Sequence, residues 1–146
     1  MIILNIPFAT PEYDELVQLR LDVLRKPLGI DFTTEFLEKE WKDIHLAIYD
    51  DAYNLLGGLL LTHISDTTVQ MRQVAIAQNK QNAGIGKYLV AYAEQYAQEK
   101  GYQMMYLHAR EVVLPFYTKQ GYTYIGEPFV EVGIPHQAMQ KTLSHF

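Results

Sequence analysis

The segment Gln81-Asn82-Ala83-Gly84-Ile85-Gly86-Lys87 carries the residue types that hold an anion. It stands between a β-like run, Met71-Arg72-Gln73-Val74-Ala75-Ile76-Ala77, and a helical pattern. In that pattern Ile85, Leu89, Val90, Ala93, Tyr96 and Ala97 share one face. A glycine-containing loop that opens a helix presents unpaired backbone N–H groups, with the positive end of the helix dipole behind them. Phosphate is the usual anion at such a place. Two familiar phosphate loops fail here on residues that carry chemistry. A Walker A loop, Gly-x-x-x-x-Gly-Lys-Ser/Thr, meets Gln81 where its first glycine belongs and Tyr88 where its magnesium-binding hydroxyl belongs. A dinucleotide fingerprint, Gly-x-Gly-x-x-Gly, meets Leu89 in place of its third glycine.

A third pattern, Gln/Arg-x-x-Gly-x-Gly/Ala, is met without mismatch by Gln81, Gly84 and Gly86. By itself it also describes two glycines used only for a tight turn at a helix start. The rest of the chain adds to it in order. A second apolar strand, Met104-Met105-Tyr106-Leu107-His108-Ala109, follows the helix, and Phe116-Tyr117-Thr118-Lys119-Gln120-Gly121-Tyr122 fits Phe-Tyr-x-x-x-Gly-Phe/Tyr. Together these segments resemble the GNAT superfamily of N-acetyltransferases, whose loop binds the pyrophosphate of acetyl-coenzyme A. The tail, Phe129-Val130-Glu131-Val132-Gly133-Ile134-Pro135-His136 with Met139 and Lys141, is similar to the end of one bacterial-type subgroup. The resemblance covers roughly residues 10–143, with its specific motifs in 71–143.

The resemblance implies acetyl-coenzyme A as co-substrate and assigns residues to it. Backbone groups of Val74, Ala75 and Ile76 would pair with the pantetheine amides, with the Val74 or Ile76 N–H near the thioester oxygen. Pyrophosphate contacts would fall on Gln81, Asn82, Ala83, Gly84, Ile85, Gly86 and Lys87. Tyr117 matches the superfamily tyrosine beside the sulfur. A phenol, with a reference pKa of about 10, is protonated at neutral pH and can donate to a departing thiolate. With 11 tyrosines in the chain, simple packing against Phe116 is the competing role.

Acetyl transfer also needs a neutral amine. A lysine-like acceptor is neutral in roughly one molecule in 2,500 at pH 7, so deprotonation costs about 4–5 kcal/mol and calls for a base or a water relay. Many members of the superfamily place a glutamate on the strand before the loop, whereas 71–77 here offers Arg72 and Gln73 and no carboxylate. Glu111, His108 and His136 are the candidates. His136 is preferred, because the subgroup resemblance sets it at a strand start facing the cleft. Arg110 stands where asparagine is common in the superfamily. Arg20 and Arg25, beside Pro27-Leu28-Gly29, resemble the subgroup's N-terminal segment and suit an acceptor carboxylate.

The elements that must position these residues read as a mixed α/β order without a linker. A strand over 1–8 is followed by Thr10-Pro11, a hydroxyl cap with proline at a helix start, and a helix over 12–26 carrying Leu16, Leu19, Val23 and Leu24. Thr33 or Thr34 caps a second helix to about Trp41. Strands over 45–49 and 55–62 flank a turn at 50–54, and a strand over 69–77 leads into the loop. The long helix, about 84–100, closes at Gly101. A strand over 104–109, a short helix near 112–120 and strands near 122–127 and 136–143 complete the chain. The expected fold is α+β. It is a single GNAT domain with a mixed, mostly antiparallel central sheet flanked by helices, in the order β-α-α-β-β-β-α-β-α-β-β.

Bulk properties fit a soluble globular protein. The 146 residues are 49% hydrophobic and 20% charged, a length that buries about 70% of the unfolded surface. No run approaches a membrane span, and Met1-Ile2-Ile3-Leu4 lacks the basic start of a signal peptide, so a cytoplasmic location is expected. A net charge of −5 argues against nucleic-acid binding. The absence of cysteine removes a thiol acyl-enzyme route, and the five scattered histidines show no metal-ligand spacing. The expected activity is direct acetyl transfer, in a ternary complex, to the primary amine of a small molecule, peptide or protein, without a metal. A homodimer through the last strands is compatible with this. The alternative is an acyl-coenzyme A sensor with the same fold and no turnover.

Overall fold

The structure is a computed structural model that describes residues 1–29, 37–81 and 83–143. By its contacts the chain forms two compact units, Met1–Thr62 with Gln73–Ala93, and His63–Arg72 with Glu94–Phe146.

In the first unit β1 (Ile2–Asn5) pairs antiparallel with β2 (Ile44–Tyr49), and β2 with β3 (Leu55–His63). The last residues of β4 (Thr68–Ile76) lie next to β3 in the strand order. Gly57 permits this approach, since a Cβ there would come within 2.8 Å of the Ala75 carbonyl oxygen. Helix α1 (Pro11–Arg20) starts as the sequence predicts. Thr10 Oγ1 accepts from the Tyr13 N–H at 3.2 Å, proline follows the cap, and Glu12 and Asp14 occupy the first turn. It buries Tyr13 and Leu16 against Ile6, Ala47 and Tyr49.

The helix expected over 12–26 does not stay regular. After Arg20 it widens into a π turn, Leu21–Arg25, tightens into a 3-10 turn, Lys26–Leu28, and stops at Gly29 with φ 70°. The buried positions are accordingly Tyr13, Leu16 and Arg20, while Leu19, Val23 and Leu24 are half-buried. The cap expected at Thr33 or Thr34 lies outside the described residues.

In the second unit the first part of β4 runs parallel to β5 (Met104–Arg110), with 68–71 opposite 104–107. β5 pairs antiparallel with β8 (Ile134–Thr142), and β8 also carries β6 (Thr123–Tyr124) and β7 (Phe129–Glu131). The alternation of β5 buries Met105, Leu107 and Ala109 and turns Tyr106, His108 and Arg110 to the other face. The strand near 122–127 contracts to two residues. The hairpin partner β7 was not expected, and β8 begins at Ile134, two residues before His136.

The long helix α2 (Ile85–Glu99) buries Ile85, Leu89, Val90, Ala93 and Ala97, close to the periodicity read from the sequence. Its end is a Schellman motif. Gly101 has φ 96°, its N–H donates to Gln98 O at 3.0 Å, and the Tyr102 N–H donates to Ala97 O at 3.1 Å. A short helix, α3 (Leu114–Lys119), begins with proline in its first turn. No helix among the described residues is long and apolar enough to cross a membrane.

Candidate functional site

The loop of the first unit is built around Gly84, whose φ of 79° is the left-handed conformation that glycine adopts without strain. The Tyr88 N–H donates to Gly84 O at 3.1 Å and closes the first turn of α2. The N–H groups of Gly84, Ile85, Gly86 and Lys87 therefore precede the first intrahelical bond and point out of the helix start. Ile85 buries its side chain and fixes the turn, while Lys87 is exposed. An added Cβ at Gly84 would meet nothing within 4 Å, so an anion can approach this backbone closely. Gln81 does not reach outward: its Nε2 donates to Ile76 O at 3.1 Å and ties the loop to the end of β4. Asn82, expected in the same site, lies outside the described residues.

Val74 and Ile76 are half-buried on β4, and Ala75 is buried between them. Just before them Gln73 takes φ 55°, a left-handed conformation rarely adopted by a residue with a side chain. Such a residue in mid-strand costs on the order of 1 kcal/mol and turns the following backbone groups away from a regular ladder. Among the described residues the β4–β5 ladder does not extend past Met71 opposite Leu107. The backbone of 74–76 is thus free of ladder bonds on that edge.

In the second unit Tyr117 is buried on α3, with its ring edge-on to Phe116 at 5.0 Å and to Tyr122 at 5.6 Å. Burial pushes its phenol well above the usual value, so it is neutral throughout the physiological range. Its hydroxyl makes no hydrogen bond among the described residues. Tyr122 is anchored differently. Its hydroxyl donates to Glu94 Oε2 at 2.8 Å, and Lys141 Nζ donates to Glu94 Oε1 at 2.8 Å and to Gln120 O at 2.7 Å.

His136 lies inside β8 opposite Arg110, not at a strand start, because the hairpin with β7 extends the strand backward. Its ring is buried, stacks on Phe129 at 5.9 Å, and sets Nδ1 at 2.8 Å from Ile134 O and Nε2 at 3.5 Å from Glu131 Oε2. The other oxygen of Glu131 lies 3.2 Å from His108 Nδ1, and His108 Nε2 is 2.9 Å from the Tyr106 hydroxyl. Two of the three candidate bases therefore share one carboxylate. The third, Glu111, is exposed in the turn Glu111–Val113. Tyr117 and His136 have separate partners, and among the described residues no ring contact or hydrogen bond joins them.

One expectation is corrected. Arg20 does not offer its guanidinium to an acceptor: Nη1 and Nη2 grip the two oxygens of Glu40 at 2.9 and 2.6 Å. Both side chains are buried, and Tyr13 Oη donates to Glu40 Oε1 at 2.8 Å. Burial alone would raise the Glu40 pKa, but the bonds and charge of Arg20, aided by Tyr13, hold it below the ordinary carboxylate value. Arg25 is half-buried in the π turn. Among the described residues no three His, Asp or Glu side chains are grouped to hold a metal ion.

A left-handed glycine at the start of a long helix, following a strand whose last residues make no ladder bonds to β5, is an arrangement able to receive an anion. Comparison with known proteins agrees. The acetyltransferase (GNAT) domain family profile matches residues 30–143, and the chain belongs to that family. It is 35% identical over 142 residues to the uncharacterized N-acetyltransferase YitI of Bacillus subtilis, covering 92% of this chain and 94% of that one. It is 28% identical over 148 residues to YyaT of the same organism, covering 97% of each. The structure superimposes on an aminoglycoside 6'-N-acetyltransferase complexed with coenzyme A, at TM-score 0.82 and 20% identity, over 100% of this chain and 99% of that one. The fold is thus the α+β GNAT fold, with a mixed, mostly antiparallel sheet flanked by helices, as expected.

Proposed function

We propose that the protein is an N-acetyltransferase that moves the acetyl group of acetyl-coenzyme A directly to a primary amine in a ternary complex. The observation that carries this reading is the N–H cluster of 84–87 behind the left-handed Gly84, in a chain of the GNAT family. In this reading Gln81, Asn82, Ala83, Gly84, Ile85, Gly86 and Lys87 surround the pyrophosphate, the main-chain amides supplying the donors. Gln81 contributes by holding the loop to Ile76. Val74, Ala75 and Ile76 pair with the pantetheine amides along the edge that the β4–β5 ladder leaves open.

Acetyl-coenzyme A supplies an activated thioester. A backbone N–H of Val74 or Ile76 polarises its carbonyl, as a preorganised donor does most effectively away from water. Tyr117 donates a hydrogen bond to the departing sulfur. Burial holds the phenol above the usual range of a thiol. It therefore stabilises the thiolate by sharing its proton, without being deprotonated. His136 accepts the proton that the ammonium form of the acceptor must lose. No metal takes part.

The acceptor is a small amine or an amine of a peptide or protein. The tail around Gly133-Ile134-Pro135-His136 is taken as a subgroup feature, and the protein is taken to work in the cytoplasm, as a monomer or a homodimer. Calorimetry with acetyl-coenzyme A, followed by an amine panel that includes an aminoglycoside, a polyamine and lysine peptides, tests the reading through free-thiol release. Binding with amine-dependent release supports it. Tight binding with no release across the panel favours a sensor, and no binding overturns the assignment of the loop.

A further inference from the structure

The strand before the loop carries no acidic residue, and the second unit holds one, Glu131, beside two histidines. We propose that Glu131 is the positioning residue for proton removal from the acceptor: it holds His136 ready to take the proton and passes that proton to solvent. This rests on the acetyltransferase reading above, and it assigns a residue that the sequence reading did not single out.

The placement follows from strand alternation. Opposed residues of an antiparallel ladder point to the same side, and so do residues two apart. Arg110 opposes His136, Phe129 opposes His136 and Glu131 opposes Ile134. His108, Arg110, Phe129, Glu131 and His136 therefore share one face of the sheet. The turn between Glu131 and Ile134 has positive φ at both central residues, Val132 at 47° and Gly133 at 74°. That is the pattern of a two-residue hairpin, which locks the register. A valine in this conformation is strained, so the carboxylate is held over the histidines against a local cost.

Proton positions follow from which atoms can only accept. The Ile134 carbonyl can only accept, so His136 carries its proton on Nδ1 and donates there at 2.8 Å. Its Nε2 lone pair then faces Glu131 Oε2 at 3.5 Å, two acceptors opposed across a gap a proton would bridge. His108 is already satisfied, donating from Nδ1 to Glu131 Oε1 while Nε2 accepts from the Tyr106 hydroxyl. A proton arriving at this cluster therefore lands on His136 Nε2. One N–H bond of the acceptor ammonium breaks and one Nε2–H bond forms. The free amine and an imidazolium paired with Glu131 result. Glu131 is half-exposed whereas His136 is buried, so the proton leaves through the carboxylate to water and His136 returns to its neutral form.

The charged and titratable groups facing His136 are Arg110, His108 and Tyr106 from β5 and Glu131 from β7, with Glu111 in the adjoining turn. Arg110 opposes a positive charge on His136, and Glu131 offsets it.

The test compares kcat/KM against pH for wild type, Glu131→Gln and Glu131→Asp, together with 15N spectra of the histidine rings recorded without any acceptor. Glu131→Gln is expected to lower kcat/KM by about tenfold to a hundredfold. Acetyl-coenzyme A affinity should be unchanged and Glu131→Asp should recover part of the rate. The spectra should show neutral His136 protonated on Nδ1. A Glu131→Gln profile that superimposes on wild type while His136→Gln is inactive overturns the role of Glu131. If wild type binds acetyl-coenzyme A and acetylates no amine, the function reading fails; the ring spectra still decide the pair, and a neutral His136 protonated on Nε2 overturns it.

Discussion

Tyr117 lies edge-on to Tyr122 with ring centroids 5.6 Å apart, and only one of the two phenols is tied down. Tyr122 is fixed by Glu94, and Glu94 by Lys141, so the ring against which Tyr117 packs is braced by an ion pair. Removing the Tyr122 hydroxyl as Tyr122→Phe keeps the ring contact and deletes a bond to a charged group. The expected loss is about 1.5–3 kcal/mol in urea unfolding, with acetyl-coenzyme A affinity within about twofold of wild type.

Tyr117→Phe is expected to do the opposite. Phenylalanine keeps the ring contacts to Phe116 and Tyr122, and the lost hydroxyl makes no hydrogen bond among the described residues, so stability should change by less than about 1 kcal/mol. Turnover should fall by about a hundredfold in kcat with little change in KM for acetyl-coenzyme A. Steady-state kinetics beside thermal unfolding separates the two effects.

Gly84→Ala places a Cβ on a residue with φ 79°. The strain is about 1–2 kcal/mol, and since no atom lies within 4 Å of the added Cβ it comes from the backbone and not from a clash. The relaxed loop should bind acetyl-coenzyme A roughly tenfold more weakly, each tenfold step being about 1.4 kcal/mol. Calorimetry reads the affinity, and urea unfolding reads the strain.

The Arg20–Glu40 pair governs behaviour in acid. The folded pKa of Glu40 lies below its unfolded value, so its contribution to stability is present above about pH 4.5 and is lost as pH falls below that. Glu40→Gln is expected to remove this part of the acid dependence. It leaves a buried guanidinium without its carboxylate, at a cost of about 3–5 kcal/mol at neutral pH. Urea midpoints measured from pH 7 to pH 3 for both proteins check the sign.

Local signals were legible in the sequence. The face Ile85, Leu89, Val90, Ala93 and Ala97 follows the helical period, and Gly84 and Gly101 bound the helix because both need positive φ. The sequence reading turns Arg20 toward an acceptor carboxylate, and no local pattern ties it to Glu40, 20 positions away. Glu131 escaped notice for a related reason. Its importance depends on the β7–β8 register, which also moves the start of β8 back to Ile134, and three residues of strand are too few to read from alternation.

The π turn Leu21–Arg25 has a consequence for chain length. Its closing bond runs from the Lys26 N–H to Leu21 O, so this turn takes one residue more than an α-helical turn. It is bracketed by Arg20, clamped to Glu40, and by Gly29, which ends the segment. Deleting a single residue within 21–25 would let the helix run on as regular α while both brackets keep their places. The turn is therefore a place where the loss of one residue would be taken up within the helix.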